Sequence, residues 1–420
     1  MTQVIVVGGG LAGLVATRHL ADGGADVELV ERRESLGGRV RSRRMDGYTL
    51  DRGFQVLFTG YPAARRELRY QELDLRRFTP GATLARPGSR SVLADPRRDP
   101  ASLTETLFNA NVSFGDMARL LRLWRDLANR DEHEVFSGED ATIGDFLENR
   151  GFSRQFVERF FAPFYGGITL DRTLSSSAAV FQYTFRMLAG GSIAVPAAGM
   201  GAIADQLAAS VRDAGAEITL DTEVEAVETD RDGATVELDS ETRAADAVVV
   251  AADPKHARDL TGVGAIPTDA RGCVTQYLSL PTHQQLDTGK KLVLNAGGTD
   301  PNHVASLSTV APEYAPAGRE LLSATFLGEE ERSDEELAER VREALVAWYP
   351  ERRFDDCELL ATDRIGFAQF AQPPGFYQDL PATDAPDGDV YLAGEYTNWS
   401  SIHGAMESGR AAARAVLDSW

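Results

Sequence analysis

The segment through Glu31 constrains this chain most. Val4-Ile5-Val6-Val7 is a β-branched apolar run, the pattern of a strand buried on both faces. Gly8-Gly9-Gly10-Leu11-Ala12-Gly13 follows at once and fits G-x-G-x-x-G. The apolar spacing then predicts a helix from about Leu11 to Ala21, stopped by Gly23-Gly24. Asp26 to Val30 is the next strand, and it ends in Glu31. Each part has a role in holding a dinucleotide. Gly8 permits the tight turn, Gly10 lets a pyrophosphate approach the backbone, and Gly13 packs helix on strand. The helix start offers unpaired N–H groups and the positive end of its dipole. Glu31 is placed to accept from ribose hydroxyls.

A second motif follows: Arg33-x-x-x-Gly37-Gly38-Arg39. It resembles the GGR signature of the flavin amine oxidase superfamily, which also contains protoporphyrinogen oxidases and carotenoid desaturases. Two glycines let backbone pass close to a pyrophosphate, and Arg39 pairs with its charge. The resemblance therefore implies FAD. It extends along the chain. Asp51-Arg52-Gly53-Phe54 resembles the segment that passes the flavin ring. Val195-Pro196-Ala197-Ala198-Gly199-Met200 resembles the loop that returns to the cofactor domain. Val224 stands where the family holds adenine through backbone groups. Gly394-Glu395 closes a strand from Val390, with the acid expected near the ribityl–phosphate part of FAD. Gly404-Ala405-Met406 opens a terminal helix whose N–H groups would face the N1–C2=O edge of the flavin, which gains negative charge on reduction. The cofactor-binding candidates are thus Gly8, Gly10, Leu11, Ala12, Gly13, Glu31, Arg32, Gly38, Arg39, Gly53, Phe54, Val224, Gly394, Glu395, Gly404, Ala405 and Met406.

The expected fold is α/β: a discontinuous Rossmann-type FAD-binding domain with an inserted α+β substrate domain. The former takes residues 1–60, 195–255 and 385–420; the latter takes 61–194, its helical part, and 256–384, a mixed sheet. Residues from about 102 to 165 read as helical, with Phe114, Met117, Leu120, Leu121 and Trp124 at helical spacing as core or cavity wall. A helix near Ile143 to Asn149 and another near Gln155 to Tyr165 follow. Asp232-Gly233 signals a hairpin. Ser333 to Glu336 is a capping box opening a helix to about Tyr349.

The formal net charge is −21, and Lys255, Lys290 and Lys291 are the only lysines. This composition is halophile-like, since surface carboxylates stay hydrated when salt screens their repulsion; a merely acidic proteome is the other reading. It argues against nucleic-acid binding. Arginines concentrate at Arg65-Arg66, Arg69, Arg76-Arg77, Arg86, Arg90 and Arg97-Arg98, either as a patch for an anionic lipid or substrate or as partners of acids such as Glu67 and Glu72. Cys273 and Cys357 make no disulfide framework and no metal site. No apolar run is long enough to span a membrane, and Met1-Thr2-Gln3 leads directly into a strand. The expectation is a cytoplasmic protein with a possible peripheral contact to the membrane.

The resemblance leaves the substrate open. Familiar amine oxidases carry a lysine linked to flavin N5 through water; Thr275 or Gln276 stands at the matching place. They carry a flavin-linked cysteine beside a cage tyrosine before Pro-Pro-Gly; Phe367 and Ala368 stand there. A second cage tyrosine follows Trp-Ser near the end; here Trp399-Ser400 leads to Ser401-Ile402-His403. Non-covalent FAD is expected, and an amine substrate is disfavoured. The flavin carries the chemistry, no catalytic side chain is assigned, and His403 is the candidate placed to touch flavin or substrate. His19, His133, His256, His283 and His303 show no ligand spacing and default to structure. Dehydrogenation of a large apolar isoprenoid or carotenoid, with oxygen or a quinone as acceptor, is the first expectation. Protoporphyrinogen or amine oxidation are the alternatives. A flavin-free prenyl-protein chaperone, similar to the GDP-dissociation inhibitors, is the reading from another class.

Overall fold

The computed structural model describes residues 2–94, 98–99, 109, 111–229, 233–238 and 241–420. The apolar runs at its amino end do form a sheet buried on both faces. Strand Gln3–Val7 lies between Asp26–Val30 and Ala247–Val250, with Glu217–Thr219 and Val390–Leu392 at the edges, all parallel. Val6, Leu29 and Val248 to Val250 are inaccessible. Three distant stretches of chain therefore build one sheet.

Helix Leu11–Asp22 follows the glycine turn and packs on Gly201–Asp213 and Ile402–Asp418. A short antiparallel sheet, Val224–Thr229, Ala234–Leu238 and Thr242–Ala245, is appended. Of the expected hairpin turn, Gly233 has a left-handed φ of 141°, and Asp232 lies outside the described residues.

A second sheet of seven strands runs in the order Glu358–Phe370, Ala270–Pro281, Arg319–Leu327, His303–Ser306, Leu292–Asn295, Gly81–Arg86, Ser89–Ala94. Only the pair Leu292–Asn295 and Gly81–Arg86 is parallel. Its last two strands come from a stretch whose strand pattern the sequence reading passed over. Helix Asp334–Trp348, opened by the expected Ser333/Glu336 capping box, buries Leu337, Val341 and Leu345 with this sheet.

Helices Phe114–Leu127, Glu132–Phe136, Ile143–Asn149, Ala162–Thr169 and Ala178–Gly190 form the helical part. A π-helical stretch, Val157–Phe161, interrupts the helix expected over 155–165. Residues 102–108 and 110 of the expected helical region lie outside the described residues.

One expectation needs correction here. Phe114 and Leu121 do not face the core: they are 80% and 51% exposed, and the helix buries Asp116, Leu123 and Leu127 instead. Asp116 turns inward because its carboxylate is a shared cap. It accepts from Ser113 N–H at 3.3 Å, from Ser113 Oγ at 2.6 Å, and from Ser153 N–H at 2.8 Å. Fixing that residue inward rotates Phe114 outward. Of the two readings of the arginine concentration, several of its members follow the second, as partners of acids or carbonyls, and Arg97 lies outside the described residues. Arg69 pairs with Glu72, Arg76 with Asp74 and Glu313, and Arg90 with Glu351. Arg65 donates to the Thr59 carbonyl, and Arg98 to those of Leu188 and Gly191.

Candidate active site

One cavity of about 580 Å³ lies between the parallel sheet, the mixed sheet and the helical part. Its first wall is the glycine turn: Gly8, Gly10, Leu11 and Ala12 all line it. A Cβ built on Gly10 would meet nothing within 4 Å, so it would project into an open cradle at the helix start. The first intrahelical bond runs from Leu14 N–H to the Gly10 carbonyl at 2.9 Å. The N–H groups before Leu14 therefore have no helical acceptor. Gly13 does not line the cavity. A Cβ there would sit 1.9 Å from the Gly8 carbonyl oxygen, so Gly13 serves the close packing expected of it.

Glu31 is 5% exposed and lines the cavity at the end of its strand. Its carboxylate accepts from Gly9 N–H at 2.7 Å and from Arg33 N–H at 3.0 Å, which fixes its orientation. Arg32, also at the wall, reaches Glu223 at 3.4 Å and Asp253 at 3.0 Å. Val224 lines the same end, at the start of its strand. Gly38 and Arg39 come next. Arg39 Nη1 donates to Glu395 Oε1 at 2.5 Å and to the Ala368 carbonyl at 3.0 Å. Gly394 and Glu395 line the cavity from the end of the last parallel strand. Arg52 also lines it; burial and the neighbouring Arg33 charge hold its guanidinium below its ordinary pKa. These features fit a dinucleotide: an open cradle with free N–H groups, positive charge beside it, and an anchored carboxylate.

Gly53 and Phe54 line the cavity deeper in. Asp51 is buried and does not line it. Its carboxylate accepts from Met200 N–H at 2.8 Å, Ser42 Oγ at 2.5 Å and Tyr314 Oη at 3.0 Å, while Tyr277 donates to its carbonyl. Burial raises its carboxyl to a pKa of about 6. The Pro196 to Met200 loop thus acts by pinning the turn that carries Gly53 and Phe54.

At the terminal helix the structure separates the candidates. Ser401, Ile402 and Ala405 line the cavity; Gly404 and Met406 do not. Ser401 Oγ accepts from Gly404 N–H at 2.8 Å, which removes that donor from the cavity. A Cβ on Gly404 would lie 2.1 Å from the Trp399 carbonyl oxygen, and Met406 is fully buried. The helix begins at Ile402, two residues before the expected start, so different N–H groups meet the cavity.

His403 is likewise behind the wall. It is 1% exposed and does not line the cavity. Its Nδ1 accepts from Ala63 N–H at 3.3 Å, and its Nε2 lies 2.8 Å from Glu132 Oε2. Glu132 also accepts from Trp399 Nε1 at 2.9 Å and Tyr183 Oη at 3.4 Å. The imidazole stacks on Tyr61, with ring centres 5.4 Å apart. Trp399 and Tyr61 line the cavity, so His403 and Glu132 hold two of its aromatic walls.

The remaining wall is mostly apolar: Phe78, Phe164, Ile168, Leu170, Ile193 and Leu292. Among the described residues no lysine lines the cavity. Thr275 is fully buried outside it, and Gln276 donates to the Asp334 carbonyl at 2.6 Å. Phe367 and Ala368 are at the wall. Tyr396 lines it too, but its hydroxyl donates to the Val250 carbonyl at 3.0 Å. Sequence reasoning missed Tyr61, His256 and His303, which all line the cavity. Only the fold brings these residues to the wall; no local motif marks them. Among the described residues no group of histidine, cysteine or carboxylate side chains is arranged to hold a metal ion.

The chain is similar to known proteins along most of its length. A family model described as flavin containing amine oxidoreductase matches residues 11–417. The carotenoid 3,4-desaturase of Haloarcula japonica is 26% identical over 292 residues, covering 61% of this chain and 56% of that protein. The phytoene dehydrogenase of Streptomyces griseus is 31% identical over 285 residues, covering 60% and 54%. The chain thus spans about half the length of these curated relatives. A crystal structure of a putative protoporphyrinogen oxidase from Exiguobacterium sp. 255-15 superposes with a TM-score of 0.73 at 16% identity, covering 100% of this chain and 99% of that one.

Proposed function

The chain belongs to the flavin containing amine oxidoreductase family, and on that premise we propose that it is an FAD-dependent oxidoreductase that dehydrogenates a large apolar substrate of isoprenoid type. The observation that carries this is a single cavity with two chemistries. One end is the open cradle at Gly10 with Glu31 and Arg39 beside it; the other is walled by Phe78, Phe164, Leu170 and Leu292.

FAD is bound non-covalently in this reading. Cys273 is the cysteine at the cavity wall, and burial raises its thiol to a pKa of about 11, which disfavours thiolate chemistry. Bound FAD supplies uptake of a hydride at N5. The protein positions the donor carbon and excludes water. The Asp51 network fixes the turn bearing Gly53 and Phe54, and Glu132 and His403 fix Trp399 and Tyr61. Thr184 lines the cavity, but its hydroxyl is spent on the Val180 carbonyl at 2.7 Å. Loss of hydride from an allylic carbon would leave a delocalised cation, and the adjacent C–H, acidified by that charge, would give its proton to solvent or a weak base as the double bond forms, so no strong base is needed there.

Two further readings belong to this proposal. The acceptor of the electrons is oxygen or a quinone. The protein is cytoplasmic and touches the membrane peripherally. Among the described residues no helix is long and apolar enough to cross a membrane, whereas Phe114 and Leu121 offer exposed apolar surface on the helix packed against Ala178–Gly190. Val180 and Thr184 of the latter helix line the cavity.

The test is anaerobic reduction. Bleaching of the flavin bands by polyprenyl or carotenoid substrates, and not by primary amines, is expected. Bleaching by porphyrinogens alone or by amines alone overturns the substrate reading. Failure to hold FAD overturns the enzyme reading and favours the flavin-free chaperone.

A further inference from the structure

The cavity wall carries two hydrogen-bond donors that bond to no described residue. Two glutamines of this wall are spent. Gln369 Nε2 donates to the Ile168 carbonyl at 3.0 Å, and Gln372 Oε1 accepts from Ser400 N–H at 2.9 Å.

His303 is different. Arg172 donates to Asn302 Oδ1 at 2.9 Å, which makes Asn302 Nδ2 the donor end of that amide. Asn302 Nδ2 then donates to the Pro163 carbonyl at 2.9 Å and to His303 Nδ1 at 3.1 Å. With Nδ1 accepting, the proton of the neutral ring is on Nε2. That Nε2 has no partner among the described residues, on a residue that is 2% exposed and lines the cavity beside Phe54. Burial and the Arg172 charge push its pKa down to about 3, so the ring is neutral at pH 7.

Tyr61 is the second. It is 6% exposed and lines the cavity, and its hydroxyl has no hydrogen bond to any described residue. Its ring is clamped between His403 and Phe58, at 5.4 and 5.3 Å. Burial raises its phenol well above the ordinary value, so it stays a donor.

We propose that the substrate is an apolar molecule carrying an acceptor oxygen, a carbonyl or a hydroxyl, which Tyr61 and His303 recognise. This rests on the oxidoreductase reading and narrows its substrate class. A pure hydrocarbon would fill the same walls and leave the His303 N–H unpaired, which costs affinity. Sites built with donors discriminate strongly against ligands that lack the matching acceptor.

The experiment uses the full chain loaded with FAD. A polyprenyl ketone and the hydrocarbon of the same chain length are titrated in detergent, and binding is read by the shift of the flavin bands and by quenching of tryptophan fluorescence, since Trp399 lines the cavity. The wild-type protein is expected to bind the ketone about tenfold more tightly. Tyr61→Phe and His303→Leu each reduce that preference, and the double variant abolishes it. His303→Gln, which keeps an N–H donor, retains part of it and guards against loss through misfolding. No preference in the wild type, or a preference intact in the double variant, overturns the proposal. So does a shift of the ligand-free flavin bands and potential with the ketone preference unchanged, because the donors would then serve the cofactor. If the protein holds no FAD, the oxidoreductase reading falls, and tryptophan quenching still reads the ketone preference.

Discussion

The guanidinium of Arg39 lies 2.5 Å from the carboxylate of Glu395, joining positions 356 residues apart at the cavity wall. One comes from the GGR loop, the other from the end of the last parallel strand. Glu395 is 6% exposed, so the ion pair takes the place of solvent around its carboxylate. Arg39→Met is expected to weaken FAD binding about 10- to 100-fold, through lost pairing to phosphate and an orphaned Glu395. Glu395→Gln keeps a hydrogen bond and is expected to cost less. Fluorescence titration of apoprotein with FAD checks both, and equal affinity in Arg39→Met removes Arg39 from the site.

Gly10 meets no atom where its side chain would stand. Gly10→Val therefore leaves the fold intact and fills the cradle. The expected result is a colourless protein with wild-type circular dichroism. Unchanged flavin content counts against the cradle.

Glu31 is held by two backbone N–H groups and has oxygen lone pairs left for a ribose. Glu31→Ala is expected to raise the Kd for FAD by at least about tenfold. The Kd for riboflavin, which lacks the adenosine ribose, stays the same. A parallel loss for riboflavin would mean that the substitution only disorders the turn.

Asp51 makes a pH prediction. Its carboxyl is raised from 3.8 to about 6 by burial, so the folded protein binds that proton more tightly than the unfolded chain. Its stabilising contribution is complete below 3.8 and is lost as pH rises through about 6. Asp51→Asn is expected to remove this component, so the difference in Tm between variant and wild type changes across that window. A difference that is flat with pH contradicts it.

The net charge of −21 predicts a salt response. Screening of carboxylate repulsion is expected to raise Tm steadily as KCl goes from low to molar concentration. A Tm that is flat or falling with salt removes the halophilic reading.

The cofactor end of this protein was legible because its function is written in local order. Val4 to Glu31 encodes strand, turn, helix and acid within one unit, and every candidate there lies at the cavity or, like Gly13, packs beneath it. The terminal helix was harder. Its start depends on Ser401 capping Gly404, which moves the open N–H groups towards Ile402. The Phe114 helix misled because hydrophobic spacing cannot see that Asp116 is claimed by Ser113 and Ser153. The substrate end was not legible. Tyr61 and His303 line one cavity only when a helix start and a sheet strand far apart in the chain close around the same space, and no local pattern encodes that closure.

The central claim is a non-covalently bound FAD in this cavity. The direct measurement is an absorbance spectrum of protein purified in high salt, followed by acid precipitation and a second spectrum of the supernatant. Flavin bands that pass into the supernatant are the predicted result. Bands that stay in the pellet would contradict non-covalent binding, and no flavin after reconstitution with FAD would contradict the assignment itself.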